Sequence, residues 1–356
     1  YRNLSLSSHK LSQAVSKASH IRMPTAPLRL GADAVQSLLK RFGTLRVLEL
    51  DGIASIGDKI FPLLNQSAAA STLQSLCLHG VSLTYWCTDG LHLEHLQQLT
   101  VAGGSVRVAL PAFLKKLPLE SLTLSQCSSL RDTQLSEIQT TVGTTLKTLN
   151  LHQCLRLNRP TLNFAQLERL SLMGSFSLLD LPQLNCPNLL YLDLSFCFRI
   201  NSTTVEDALK RLPQLRELAL VKCPGLHSLT IVHSRLTSIN VMWSNALHTL
   251  RIKCPHLLKL ETAGCVALST LLLDSVSLQS LSLASLHNLQ RLEIQAPLLR
   301  SLTLTHCRRL DQVRVDGPDC LEQVVVRDCR TVALRFCKSV RRAIIAEWNE
   351  RRRRRC

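Results

Sequence analysis

A six-residue pattern, L-x-x-L-x-L with Val or Ile sometimes substituting, recurs along nearly the whole chain and limits what it can fold into. Copies begin at Leu45, Leu73, Leu96, Leu119, Leu146, Leu167, Leu189 and Leu215, at spacings of 21 to 28 residues. The last two leucines of each copy lie two apart, so on an extended segment they share one face and their neighbours share the other. One such segment buries little by itself. Stacked copies bury their leucines against one another in a continuous ladder. Several copies run on into a cysteine and a further aliphatic, as in residues 189–200 (LLYLDLSFCFRI) and 146–157. A small apolar thiol fits the bend after the strand. Only 4% of residues are aromatic against 46% hydrophobic, which favours uniform aliphatic layers over a mixed globular core.

Eight copies in near-regular register identify a leucine-rich-repeat array, an α/β solenoid. From Leu215 the rhythm shortens. Motif starts fall at Leu215, Leu226, Leu236, Leu247, Leu257, Leu268, Leu278, Leu289, Leu299, Leu310 and Leu321, mostly 11 and 10 residues apart in alternation. Each 21-residue coil of 215–337 then holds two strands and two tight bends, with sheet on both sides. The turns of 1–214 are expected to return through helices instead, at 31–41, 132–139 and 202–212. The last of these has Asn201 or Ser202 as its N-cap, acidic residues early and basic residues late. Two weaker strands are expected at 3–6 and 28–30. In 338–350, Val340, Ile344, Ile345 and Trp348 stand at helical spacing and predict a helix capping the last coil. Residues 1–350 are read as one domain, with 351–356 as an Arg-rich tail.

Formal net charge is +17, and five of those charges are the run Arg351, Arg352, Arg353, Arg354 and Arg355. The body alone is still about +12, enough to attract anionic partners. The arginine run is a candidate polyanion-binding segment for nucleic acid, weighed against a solvated tail. Fourteen cysteines are too few for a disulfide scaffold. Seven recur at the bend position, which points to buried, reduced thiols, and no CxxC spacing supports a zinc site. No cofactor or metal is expected. No apolar run approaches the roughly 18 residues of a membrane span, and the expected setting is cytoplasmic or nuclear. Gly-rich phosphate loops, HExxH and GxSxG are missing from the sequence, and His92 and His95 read as surface residues. A binding scaffold is expected, not an enzyme.

On each strand the residue between the last two leucines and the one just after should face outward, from Glu49/Asp51 to Val325/Arg327. The set includes Ser171/Met173, Asp193/Ser195, Ala219/Val221 and Asn240/Met242. These are mostly small and neutral. A phosphate backbone would want Lys and Arg there. One apolar cluster breaks the pattern: Met173, Phe196, Val221, Met242 and Trp243 on neighbouring coils, with Lys222 beside them. Exposed aromatic and Met anchors mark protein-binding sites, so a protein partner is expected on the concave sheet. The competing reading folds Trp243 and Phe196 over the bend to shield the core edge. Arg251 and Lys253, on the return side, read as ordinary surface.

The cysteine-ending copies and the CPxL junctions at 186–189, 223–226 and 254–257 resemble the cysteine-containing repeats of F-box leucine-rich-repeat proteins. The alternating 11/10 stretch is most similar to the large plant-type members. The opening Tyr1-Arg-Asn-Leu is similar to the segment where an F-box passes into the first repeat. The resemblance implies the substrate receptor of an SCF ubiquitin ligase, whose F-box binds a Skp-type adaptor while the repeats hold the protein to be ubiquitinated. Residues 1–356 contain no F-box, so the adaptor would need one upstream of Tyr1. The alternative is a basic scaffold subunit of an RNA-containing or other large complex, with no role in ubiquitination.

Overall fold

The computed structural model describes residues 20–23, 32–42, 44–51, 57–81, 93–103, 114, 117–181, 183–316, 321–329, 333–336 and 344–345. The chain divides into two compact units, Tyr1–Leu167 and Glu168–Cys356. Coils of a repeat array pack only on their neighbours.

In the first unit, β1 (His20–Met23), β2 (Val47–Leu50), β3 (Ser75–His79), β4 (Gln98–Ala102), β5 (Ser121–Ser125) and β6 (Thr148–Asn150) form a parallel sheet in that order. Register aligns the motif leucines: Leu48, Leu76, Leu99, Leu122 and Leu149 make one column, and Leu50, Leu78, Val101 and Leu124 the next. All are buried to within 1%. Strand β1 lies outside the expected early strands; those at 3–6 and 28–30 fall outside the described residues. Helices α1 (Ala32–Arg41), α2 (Ile60–Asn65) and α3 (Asp132–Val142) and the short strand β7 (Thr161–Asn163) lie on the return side.

The second unit opens with β8 (Arg169–Ser171), β9 (Gln183–Asn185), β10 (Tyr191–Asp193), α4 (Ser202–Lys210) and β11 (Glu217–Ala219). Beyond them come β12 (Ser228–Val232), β13 (Ser238–Asn240), β14 (Thr249–Lys253), β15 (Lys259–Glu261), β16 (Thr270–Asp274) and β17 (Ser280–Ala284). The series ends with β18 (Arg291–Gln295), β19 (Ser301–Thr305), β20 (Gln312–Asp316), β21 (Gln323–Arg327), β22 (Ala333–Phe336) and β23 (Ile344–Ile345). Strands β8, β10, β11, β13 and β15 pair in parallel on the main side. A separate sheet of β17, β19, β21 and β23 follows, and β12, β14, β16, β18, β20 and β22 form the second sheet. Both sides of the short coils are therefore strand, as the 11/10 alternation predicts. Leu and Ile alternate inward along them, as in the buried Leu250 and Ile252 of β14. Each unit is a leucine-rich-repeat solenoid.

Coil length decides the return element. The coils Leu45–Leu73, Leu119–Leu146 and Leu189–Leu215 are 28, 27 and 26 residues long and carry α2, α3 and α4. The coils that begin at Leu146 and Leu167 are 21 and 22 residues long and return through β7 and β9, which corrects the helix-backed assignment of all of 1–214. A helix advances about 1.5 Å per residue and a strand about 3.3 Å, so a helix needs more chain to span the same return. Helix α4 begins at an Asn201 cap whose Oδ1 accepts the Thr204 N–H at 2.9 Å. It also covers the first edge of the second sheet: the Glu206 carboxylate accepts the Thr230 N–H at 2.7 Å. A bare strand edge would otherwise present open pairing groups.

The capping helix of 338–350 is corrected at its centre. Ile344 and Ile345 form β23, paired with Gln323 and Val324. Two adjacent β-branched residues suit a strand better than a helix.

The recurring cysteines bind one coil to the one before. Each thiol donates to the carbonyl of the preceding coil's last inward residue: Cys154 to Leu124 at 3.0 Å, Cys197 to Leu172 at 3.2 Å, Cys223 to Leu194 at 3.2 Å and Cys265 to Val241 at 3.0 Å. Ser244 replaces the thiol on its coil, donating to Leu220 O at 2.9 Å and accepting the Cys223 N–H at 3.1 Å. All of these cysteines are free and buried. One coil breaks the apolar rule: Thr262 stands where its neighbours have Val241 and Leu283, is 1% exposed, and its hydroxyl has no hydrogen-bond partner. Replacing an orphaned buried hydroxyl by a methyl of the same shape removes its desolvation cost. Thr262→Val should raise stability by about 1–3 kcal/mol, read from urea unfolding; an unchanged or lower midpoint would show that the hydroxyl is satisfied in solution.

Candidate partner-binding site

The site begins with a backbone feature. On the main side, two residues after the last inward residue of a coil, the chain enters the left-handed region. In the first unit these positions are Gly80, Gly103, Gln126 and Gln153, and in the second Gly174, Phe196, Lys222, Trp243, Gly264, Ser285, His306 and Asp328, with φ between 51° and 78°. The left-handed residue turns the chain off the strand, while its N–H still bonds to the next coil. Phe196 donates to Val221 O at 2.7 Å, Lys222 to Met242 O at 2.9 Å and Trp243 to Ala263 O at 2.9 Å. The row is therefore held in register, and the side chains of Phe196, Lys222 and Trp243 leave the bend from neighbouring coils. A left-handed conformation costs a non-glycine residue roughly 1–2 kcal/mol, and bulky residues are unusual there.

Trp243 is 50% exposed, and its indole rests on the glycine of the next coil. A Cβ on Gly264 would lie 2.6 Å from Cε3 and 2.7 Å from Cδ2 of that ring. Gly264 thus meets two demands, a φ of 78° and a seat for the indole. The Lys222 ammonium sits 5.1 Å from the centre of the Phe196 ring, a cation–π contact. Met173, Val221 and Met242 form the half-buried row one residue nearer the strands. The structure thus brings all six predicted residues, Met173, Phe196, Val221, Lys222, Met242 and Trp243, onto adjoining rows of the same bends.

Two aromatic residues escaped the sequence reading. Phe176 and Phe198, two positions beyond the left-handed row, are 40% and 46% exposed, and their rings stack 4.8 Å apart with planes 7° from parallel. The signal was present in Phe196-Cys-Phe198, where the buried cysteine separates two residues that face away from the core.

The strand face itself is less open than expected. Strand alternation places Ser171, Asp193 and Ser195 outward, yet all three are buried. Asp193 Oδ1 accepts the Ser195 N–H at 2.9 Å; Oδ2 accepts the Ser171 hydroxyl at 3.3 Å and the Tyr191 hydroxyl at 3.4 Å. Ser195 Oγ accepts the Val221 N–H at 3.1 Å, and Arg169 lies 4.2 Å over the Tyr191 ring. Burial first, and then the Asp193 carboxylate, push the Tyr191 phenol upward. Asn240 acts similarly, its Oδ1 accepting the Met242 N–H at 3.0 Å. These polar side chains close bends, so the accessible apolar surface lies at the strand ends.

The remaining predicted positions are quickly placed. Arg351, Arg352, Arg353, Arg354 and Arg355 fall outside the described residues. Arg251 and Lys253 are exposed on β14 of the second sheet, where Lys253 pairs in register with Asp274. Among the described residues no group of three His, Cys, Asp or Glu side chains is placed to hold a metal ion. No described helix is long and apolar enough to cross a membrane.

No protein-family model and no curated protein matches the chain. Solved structures similar to it include the Rad7 and Elc1 complex in yeast, at 16% identity over 76% of this chain and 82% of that one, with a TM-score of 0.38. A leucine-rich-repeat protein of Leptospira interrogans is 16% identical over 94% of both chains, with a TM-score of 0.37. An internalin of Listeria monocytogenes is 14% identical over 85% of this chain and 88% of that one, with a TM-score of 0.36.

Two outcomes are expected at the bends. Gly264→Ala should cost about 1–2 kcal/mol for its backbone alone and more from the displaced indole, so part of the loss should vanish in a Trp243→Ala background. Equal losses in both backgrounds would show that the ring does not rest on Gly264. Burial also pushes the ladder thiols up, to about 12 for Cys154 and Cys223 and about 11 for Cys265, from 9.0. Their stabilising contribution is therefore complete below pH 9 and is lost as the pH climbs toward 11–12. Alkylation at pH 8 followed by peptide mapping should leave these three cysteines unmodified until the chain is unfolded; their labelling in the folded protein would contradict a buried ladder.

Proposed function

We propose that this chain is a protein-binding scaffold whose partner docks on the strand ends of the second unit, at Met173, Phe196, Val221, Lys222, Met242 and Trp243. The observation that carries this reading is Trp243: a half-exposed indole on left-handed backbone, seated on a glycine and bordered by Met242. Left-handed backbone is common to the bends of this repeat; what sets Trp243 apart is the half-exposed indole it carries there, and Trp is among the residues most enriched as interface anchors. Shielding of the core edge explains it less well, because the core beneath is already closed by Ser244 and Cys265.

In its finer form, the scaffold is the substrate-recognition module of an SCF-type ubiquitin ligase, with a Skp-type adaptor bound through an upstream F-box. The cysteine-ending copies and the CPxL junctions support this form. Partners captured from cell extract on the immobilised chain provide the test. Trp243→Ala with Met242→Ala should weaken the captured partner about 30-fold or more, the loss at a 2 kcal/mol anchor, while Thr303→Ala on the neighbouring sheet leaves it unchanged. Equal capture by the folded double variant would remove the site. For the finer form, the parent reading frame should encode an F-box upstream of Tyr1, and its product should co-purify with a Skp-type adaptor and accumulate ubiquitinated partner. A parent frame without an F-box would remove it.

A further inference from the structure

Among the described residues, the main-side ladder of the second unit breaks at one pair of neighbouring coils. Strand β15 ends the main sheet and β17 begins a separate one. Between β13 and β15 the ladder is regular: Val241 and Trp243 donate to Glu261 O and Ala263 O, both at 2.9 Å. Leu258 and Lys259 donate to Thr237 O at 2.8 and 3.0 Å. The equivalent donors between β15 and β17 are Thr262, Gly264, Gln279 and Ser280. None of these N–H groups has a partner among the described residues. Bonding resumes between β17 and β19, where Ser285 donates to Thr305 O at 2.9 Å and Arg300 to Gln279 O at 2.8 Å. The other side of the same two coils is intact. Strands β16 and β18 pair over five residues, from Thr270 with Arg291 to Asp274 with Gln295, and Gln290 and Arg291 donate to Ser269 O at 2.9 and 3.0 Å. At the main-side bend the tie is an exposed side chain, Asn288 Nδ2 donating to Val266 O at 2.8 Å, a bond that water can replace.

Two residues explain the break. In the bend column, Cys223, Ser244, Cys265 and Cys307 each donate to a carbonyl of the coil before, but the coil of β17 has Leu286 there. Leu286 is buried and has no donor to offer Thr262 O. On the facing coil, Thr262 takes the place of an inward Val or Leu and buries a hydroxyl without a partner. These polar groups are unpaired while the coils touch and become hydrated when the coils part, so they lower the cost of parting. The buried Leu260, Leu281 and Leu283 oppose it.

We propose that Thr262 and Leu286 set a hinge in the second unit. The main side parts between β15 and β17 while β16 and β18 stay paired and act as the pivot. The curvature of the array then changes beside Trp243, whose seat Gly264 carries one of the unpaired N–H groups. Cys265, bonded back to Val241 O at 3.0 Å, stays with the coils before the seam. The hinge does not depend on what docks at Trp243.

The test is native-state hydrogen exchange of the whole chain at single-residue resolution, over a range of low urea concentrations. Thr262 and Gly264 are buried, so their amides exchange only when the coils part. They should be at least about 100-fold less protected than Val241 and Trp243, the same positions one coil earlier, which the ladder holds. Their exchange should speed up with urea, on a slope smaller than that of global unfolding, because parting exposes only some of the core. Thr262→Val and Leu286→Cys give the seam the residues of its neighbours, and each should slow the Gly264 amide at least about tenfold. Equal protection of the two pairs of amides would overturn the proposal. Fast exchange indifferent to urea would overturn it too, since a static gap needs no opening. Fast, urea-dependent exchange that neither variant slows would also overturn it, because the hinge would not come from Thr262 and Leu286.

Discussion

Within each unit everything depends on the coil-to-coil hydrogen-bond register. A parallel ladder places equivalent residues of neighbouring coils about 4.8 Å apart, and each type of position then becomes a column. Leucines make the interior columns, thiols the column at the bend, and left-handed residues the column outside it. The ladder runs past the strands into the bends, through bonds such as Phe196 N to Val221 O. That continuation gives a solvent-facing side chain on a bend a fixed neighbour on the next coil.

Columns make neighbouring coils interdependent. Trp243 can lie flat only because the next coil places glycine, not a side chain, at the left-handed position. The thiol of one coil takes the carbonyl of another as its acceptor, so a substitution at Cys223 is felt at Leu194. Asp193 draws on three residues of two coils, Ser171, Tyr191 and Ser195, and Ser195 passes the linkage to Val221. A polar group taken out of water needs such partners, and in a repeat they are available one coil away.

Much of this was legible in the sequence and some was not, for identifiable reasons. The columns of Leu48, Leu76 and Leu99 and the paired strands of the 21-residue coils follow directly from L-x-x-L-x-L and its spacing. The length of a coil also encodes its return element, and comparing the 21 residues after Leu146 with the 27 before it would have placed β7 correctly. The left-handed column is almost invisible. Glycine marks it at Gly80, Gly103, Gly174 and Gly264, but Gln, Phe, Lys, Trp, Ser, His and Asp fill the rest, and sequence rules expect glycine there, with asparagine or aspartate on occasion. Asp193 was misread because alternation separates inward from outward and cannot foresee a carboxylate bending back on its own chain. At Ile344 and Ile345 helical spacing and strand propensity conflicted, and pairing with the next strand decided for the strand.

Short strands explain why the candidate site lies at the bends. Strands β8, β10, β11, β13 and β15 are three residues long, against five for β12, β14, β16, β18 and β20 on the other side. A three-residue strand has its inward Leu or Ile at the centre and one outward residue at either end, the one next to the bend being Ser171, Asp193, Ala219, Asn240 or Glu261. Two of these are buried in their own hydrogen bonds, and Asn240 spends its oxygen on the Met242 N–H. So little of the strand face remains to distinguish one partner from another. The bends have no such constraint: the ladder satisfies their backbone, Cys or Ser fills their inner side, and two outward positions per coil are left to vary. Phe176, Phe196, Phe198, Lys222 and Trp243 occupy those positions.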